Sequence, residues 1–502
     1  MGDKNIKKQS VIATLLCILL ILCSFSTAVI PVTARSLPDW PDGSFQGVWS
    51  KQMDDTSGSF WGVLNQGRRA TRGTFSGGWN ISGGTDTGTF HGVFYGMILV
   101  GQWDVTGTGK TTRVIGILRL NETSFSARLI SPEAGFIDIS GIHNASFLPK
   151  LTGIYGVGVI TMHLIDTSRS ENFTTEPTDA REMMVQLWYP IETSHSGTRT
   201  EYMDYPTFQW LKDRSPIPLI TIPNDAYRFV RPHGRNETNI AAGMFPVVIF
   251  SPGYDGVYQI YTSFIEDLVS HGFVVASINH PYVSGITVFP DGHTVGLADV
   301  PIDPLVRSAF FNMSLRTIVG DAKFVLNTIT EMNKTDPDFS GHFDLSKIGM
   351  YGHSFGGANT AVCCFEDPRF RAGLTLDGVF YPQFIPGNIT VPFLFMFAEA
   401  SLTNDLIIMY LWNHTTNDTF KMSVLGSTHY AFTDVGVLLS HLVPSIPPRF
   451  LSFGSIAPKR MVNITRTYIT VFFEVSLKGE PIETLLNLSS QFDEVQYDYK
   501  PG

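Results

Sequence analysis

Apolar positions change their period along this chain. Between residues 43 and 94, Phe and Trp alternate with Gly, Ser and Thr in four segments, GSFQGVW, GSFWGVL, GTFSGGW and GTFHGVF. They begin at Gly43, Gly58, Gly73 and Gly88, a constant spacing of 15 residues. Alternation of apolar with small or polar residues is the period of a β-strand, and a fixed repeat stacks one such unit on the next. The pattern predicts an all-β domain over 40–150, with Phe45, Phe60, Phe75 and Phe90 as one buried row. Strand-like runs continue it through MILVGQWDV, RVIGILRL and GFIDISGI. Aromatic stripes usually form core; the alternative reading makes Trp49, Trp61, Trp79 and Trp103 a carbohydrate- or surface-binding face.

From residue 151 the pattern is different. TGIYGVGVITMHLID and REMMVQLWYPIE read as a hairpin-like pair of strands. The short runs FPVVIFSPG, GFVVASINHP, KIGMYGHSFGG, RAGLTLDG, VPFLFMFAE and TFKMSVLGSTH then follow, each ending in Gly, His, Asp or Pro. Between them, YQIYTSFIEDLVSHG and LRTIVGDAKFVLNTITEMN repeat apolar residues at three- and four-residue intervals, as amphipathic helices do. Near-continuous apolar strands alternating with helices predict an α/β catalytic domain over 151–485, a mostly parallel sheet covered by helices. Residues 486–502 read as a C-terminal tail. Polar and small residues gather where the strands end, the edge on which open α/β sheets carry their sites.

The start of the chain has its own pattern. Lys4, Lys7 and Lys8 precede an apolar run from Val11 and the small-residue sequence Val32-Thr33-Ala34, which predicts a signal peptide over 1–34. The run approaches the length that crosses a bilayer, so an uncleaved N-terminal membrane anchor is the second reading. Either places the protein outside the cell or on the outer face of its membrane, as do 12 Asn-x-Ser/Thr sequons between Asn80 and Asn487. Cys17 and Cys23 fall in the export segment, and Cys363 and Cys364 are neighbours in sequence, so no disulfide framework or cysteine metal site is expected. A net charge of −10 without a basic cluster argues against nucleic acid as a partner.

The window KIGMYGHSFGGANTAVCC carries the chemistry. A serine hydroxyl becomes a useful nucleophile only when a histidine takes its proton and N–H donors receive the oxyanion. Gly352 and Gly356 flank Ser354 at two residues on each side, between a strand and a helix, the pattern of a nucleophile on a sharp turn. In such sites the base follows later in the chain. His429, in STHYAFTD after the last strand-like run, sits on the correct edge. His353, His414 and His441 suit structural roles better. For the acid, Asp377 ends the strand after the nucleophile helix, while Glu399 and Asp405 follow the next strand; spacing alone does not choose among them. The oxyanion donors expected are the Phe355 amide and, in SPGYDG, the Tyr254 amide.

These residues together resemble the platelet-activating factor acetylhydrolase family of the α/β-hydrolase superfamily, over roughly residues 151–480. The resemblance rests on FPVVIFSPGYDGVYQIYTSFIEDLVSHGFVVASINHP, RTIVGDAKFVLNTI, GHSFGGANTAVCCFEDPRFRAGLTLDG, STHYAFTD and TYITVFFEVSLKG. It implies Ser354 as nucleophile, Asp377 as acid, His429 as base, and Tyr254 and Phe355 as oxyanion donors. By that resemblance the substrate is a small or lipid ester, such as a short-acyl or oxidised phospholipid, and no metal or organic cofactor is needed. The chain departs from the family at Pro252, where a histidine is usual, and at Tyr254 and Asp255. The aromatic repeat lies outside the resemblance.

Overall fold

The computed structural model describes residues 44–502 except 52–55, 67–71, 83–84, 96–97, 121–123, 133–134, 144–147, 177, 194–196, 215–229, 237, 403–405 and 443–452. The proposed export segment 1–34 and the alternative acid Asp405 therefore lie outside the described residues. Among these residues no helix is long and apolar enough to cross a membrane.

The repeat builds a closed, eight-stranded antiparallel barrel from β1 (Ser44–Lys51), β2 (Ser57–Gln66), β3 (Arg72–Ile81), β4 (Thr87–Tyr95), β5 (Ile98–Val105), β6 (Thr111–Leu120), β7 (Ser124–Ser131) and β8 (Gly135–His143). Each strand pairs with the next, and β1 closes on β8. The four repeat phenylalanines meet inside, with Phe90 centred 5.9 Å from Phe45, 6.1 Å from Phe60 and 6.1 Å from Phe75. The second glycine of a repeat lies two residues past the phenylalanine, hence on the same inner face. A Cβ at Gly62 would come within 2.7 Å of the Phe45 ring and one at Gly92 within 2.5 Å of the Phe75 ring, so a side chain there would collide with the core. Trp49 and Trp79 are also inside, 3% and 6% exposed, and Trp103 packs against both. Of the four tryptophans suggested as a binding face, Trp61 alone is exposed, at 49%; alternation on a closed barrel turns the others inward and removes that face.

The second sheet has nine strands. They are β9 (Gly156–Ser170), β10 (Ala180–Ile191), β11 (Phe245–Ser251), β12 (Val274–Asn279), β15 (Phe343–His353), β16 (Phe370–Leu376), β17 (Phe393–Ala398), β18 (Thr419–Val424) and β19 (Val495–Lys500); β13 (Ile286–Val288) and β14 (Thr294–Gly296) form a separate hairpin. Their order is β19-β18-β17-β16-β15-β11-β12-β10-β9. The six strands from β18 to β12 run parallel, while β9, β10 and β19 are antiparallel to their neighbours. The hairpin expected of β9 and β10 is present. The segment 486–502, expected as a tail, instead supplies edge strand β19, because VQYDYK alternates well enough to pair with β18.

Helices cover both faces. On one lie α3 (Pro304–Thr335) and α4 (Phe355–Glu366), whose Ile318, Ala322, Ala358 and Val362 pack with Val247 and Ile249 of β11. On the other lie α2 (Thr262–Ser270) and α7 (Pro458–Phe473), whose Leu268 and Ile469 pack with Val248 and Phe250. The smaller helices α1 (Tyr205–Asp213), α5 (Leu406–Asn413) and α6 (Val435–Leu442) complete the layer. Every residue of β11 is buried, which is why the strand reads as an unbroken apolar run. Cys363 and Cys364 are buried on the inner side of α4 as small packing residues.

Candidate active site

After β11 the chain passes to β12 on one side, whereas β15 lies on the other. That reversal is the switch point outside whose carboxyl strand ends open α/β sheets carry their sites, and Ser354 stands there, between β15 and α4. Its backbone, φ 54° and ψ −114°, is one an L-residue adopts only under constraint. The constraint is close packing. A Cβ at Gly356 would lie 2.0 Å from the Ser251 carbonyl oxygen, and one at Gly352 would lie 2.2 Å from that of Gly356. Both glycines are thus demanded by the approach of β11 to the turn, and together they turn the serine outward from the sheet edge.

The loop after β11 faces this serine: a Cβ at Gly253 would lie 3.1 Å from the Ser354 Cβ. Among the described residues the Tyr254 and Phe355 amides take part in no hydrogen bond, although their neighbours Gly253, Asp255 and Gly256 all donate. Phe355 is free because it opens a helix, where the first N–H groups lack intrahelical partners. The two amides expected as oxyanion donors are therefore available.

Asp377 follows β16 and also has positive φ, 45°. Its Oδ2 is 2.6 Å from His429 Nδ1 and 3.2 Å from the Ser401 hydroxyl, and its Oδ1 accepts the Ala398 amide at 2.9 Å. Burial alone would raise this carboxyl. The His429 bond, the Ala398 amide, the His429 charge and the Ser401 hydroxyl outweigh it and hold Asp377 below the ordinary carboxylate value. An ionised Asp377 can only accept, so His429 Nδ1 carries a proton and Nε2 is left as the basic nitrogen. Glu399 is occupied elsewhere, accepting the Gly426 amide at 2.7 Å. The structure thus pairs His429 with Asp377 among the acids that spacing left open.

Sequence reasoning missed the work of His353. Its Nε2 donates to the His429 carbonyl at 3.0 Å, its Nδ1 accepts the Tyr261 hydroxyl at 2.9 Å, and the Tyr261 oxygen receives the Gly253 amide at 3.5 Å. Burial, with the nearby His429 charge, pushes His353 down to about 3, so it is neutral and these donor roles hold. The rings of His353 and His429 are centred 4.5 Å apart. One buried imidazole therefore ties the base-bearing turn to the oxyanion loop. Tyr261 lies 92 residues away in sequence, and no local signal announces such a contact.

Asp434, five residues past His429, is fully buried and accepts the Ser263 amide at 3.0 Å, the Ser263 hydroxyl and the Tyr202 hydroxyl. Burial outweighs these bonds and pushes its carboxyl up to about 7, with Glu266 adding to the effect. A raised folded-state value gives stability that is complete below the ordinary 3.8 and is lost as pH rises through about 7. Urea unfolding should show Asp434→Asn gaining about 2–3 kcal/mol on the wild type between pH 5 and pH 8. A constant difference across that range would refute the reading.

The fold is α/β-hydrolase-like, and the similarities to known esterases place the molecule among ester hydrolases. A ferulic acid esterase from Streptomyces cinnamoneus is similar in structure, with a TM-score of 0.58 and 27% identity over 70% of this chain and 98% of its own. Residues 140–291 and 319–480 match the model of the platelet-activating factor acetylhydrolase, isoform II, family, and the chain belongs to that family. Relatives include a probable 1-alkyl-2-acetylglycerophosphocholine esterase of Arthroderma benhamiae, 25% identical over 71% of this chain and 95% of its own. The platelet-activating factor acetylhydrolase of Cavia porcellus is 25% identical over 57% and 69%, and cutinase 1 of Thermobifida cellulosilytica 24% over 45% and 71%.

Proposed function

We propose that the protein is a secreted or cell-surface serine esterase that hydrolyses short-acyl or oxidised phospholipid esters, or other small esters, through an acyl-serine intermediate. The observation that carries this reading is the 2.6 Å His429–Asp377 hydrogen bond beside the strained turn that presents Ser354. His429 Nε2 takes the hydroxyl proton as the Ser354 oxygen attacks the ester carbonyl. The Tyr254 and Phe355 amides receive the oxyanion, and Asp377 stabilises the imidazolium. Collapse of the tetrahedral intermediate expels the alcohol, which receives the proton from His429, and leaves an acyl ester on Ser354. Water, deprotonated by the same histidine, then releases the acid and restores the serine.

Relatives named a probable 1-alkyl-2-acetylglycerophosphocholine esterase and a cutinase support an ester over a peptide. The N-terminal apolar segment and the sequons support export. Asn388 is exposed, whereas the Asn333 side chain is committed to the Phe343 backbone in both directions.

The test offers the protein a chain-length series of p-nitrophenyl esters, a phospholipid with an acetyl group at its second position, and a peptide anilide. Short-acyl esters and the acetyl phospholipid should be hydrolysed and the anilide left intact. A preference for the anilide overturns the assignment.

A further inference from the structure

A second acid–histidine–serine chain lies behind the oxyanion loop. Asp321 Oδ2 is 2.9 Å from His280 Nδ1, and His280 Nε2 is 3.0 Å from the Ser251 hydroxyl. Asn359 of the nucleophile helix α4 donates to the same hydroxyl at 3.1 Å and to the Ile318 carbonyl of α3 at 3.2 Å. Ser251, His280, Asp321 and Asn359 are all at most 1% exposed, so no substrate reaches them. Arg181 and Arg169 both donate to Asp321, keeping it ionised and acceptor-only. His280 must then donate from Nδ1. Burial, opposed by Asp321, lowers its basicity, leaving Nε2 bare to accept the Ser251 O–H. The Ser251 oxygen receives the Asn359 amide, so its hydroxyl is held from both sides.

Ser251 is the last residue of β11, and the oxyanion loop Pro252-Gly253-Tyr254 leaves from it. Its carbonyl is the atom against which Gly356 packs. An oxyanion donor acts only if it stands within a few tenths of an ångström of the developing charge. We infer that Ser251, His280 and Asp321 are positioning residues that set the height of the Tyr254 amide relative to Ser354, and do not form a second nucleophilic centre. This rests on the serine-esterase reading.

The test measures kcat and KM with p-nitrophenyl acetate, with active sites counted by a fluorophosphonate probe, in the full-length protein. Ser251→Ala and His280→Leu should each lower kcat per labelled site about tenfold or more, with KM within about twofold, because ground-state binding does not use the oxyanion donors. His280→Gln, whose amide can donate to Asp321 and accept from Ser251, should stay within about threefold of wild type. If His280→Leu does not fold, the small Ser251→Ala change still decides. Unchanged kcat per site in Ser251→Ala, or a Gln variant as impaired as Leu, overturns the inference, as would a label carried on Ser251. An unlabelled, inactive wild type would instead sink the esterase reading itself.

Discussion

Ser354→Ala should lower kcat for ester hydrolysis by about 10⁴- to 10⁶-fold and abolish labelling by a fluorophosphonate, while the protein stays folded. The expected loss is this large because no neighbour can replace the hydroxyl. Ser251 is sealed under the oxyanion loop, and Ser401 donates to Asp377. His429→Ala should approach the same loss, since the base and nucleophile act as a unit and their deletions are not additive. Asp377→Asn should cost somewhat less, by removing the acceptor that fixes the His429 tautomer. Glu399→Gln should keep its activity, because Glu399 serves the Gly426 turn and makes no contact with His429 among the described residues. Labelling that persists in Ser354→Ala, or an inactive Glu399→Gln with Asp377→Asn intact, would overturn the assignment.

Parts of this site were legible because their signals are local. A glycine two residues to each side of a serine, between an apolar strand and a small-residue helix, describes one turn, and that turn is present. The order of Ser354 before His429 follows from the parallel sheet, whose strands add in one direction from β15 to β18. The acid was not local in this sense: Asp377, Glu399 and Asp405 all follow strands at the same edge. For Asp377, the 2.6 Å contact across 52 residues makes the difference, and it depends on how far apart β16 and β18 sit. His353 and His280 were illegible for the same reason. What they do depends on Tyr261 and Asp321, which only the folded sheet brings near.

The barrel shows the opposite limit. Its strand period and phenylalanine row could be read from a repeat of 15 residues, yet closure could not. Closure depends on the number of strands and the stagger between them, and the pairing of β1 with β8 joins residues nearly 100 apart. The core reading of the aromatic stripe holds for Trp49, Trp79 and Trp103, and only the alternative of a binding face fails, through that omission. On an open sheet one face of such a stripe stays exposed, whereas in a closed barrel the inward face becomes core. The last strand, β19, was missed because six alternating residues at a chain end resemble an edge strand and a tail equally well.

Arg181→Met should destabilise the protein by about 3–5 kcal/mol, a large share of the stability of an ordinary domain. Arg181 is fully buried at the base of β10. Its guanidinium donates to Glu171 Oε2 at 2.8 Å, to Asp321 Oδ2 at 2.7 Å and to the Pro281 carbonyl at 3.1 Å. Methionine fills much of the volume but leaves Glu171 and Asp321 buried, with the part-exposed Arg169 as the remaining guanidinium on Asp321. The sign of the pH dependence separates this cause from lost packing. In the wild type, burial opposes ionisation of Asp321 but Arg181 and His280 prevail, and its carboxyl lies well below the ordinary value. That depressed group contributes stability present above the ordinary carboxylate range and lost on acidification. Arg181 is the largest opponent of the burial penalty, so with only Arg169 and the His280 N–H left on Asp321 the folded-state value should rise past the ordinary one, giving a contribution that is complete at low pH and lost as pH rises. The deficit of Arg181→Met against wild type, read from urea unfolding, should therefore be larger at pH 8 than at pH 5. A deficit that is equal at both, as a simple cavity would give, refutes the electrostatic account.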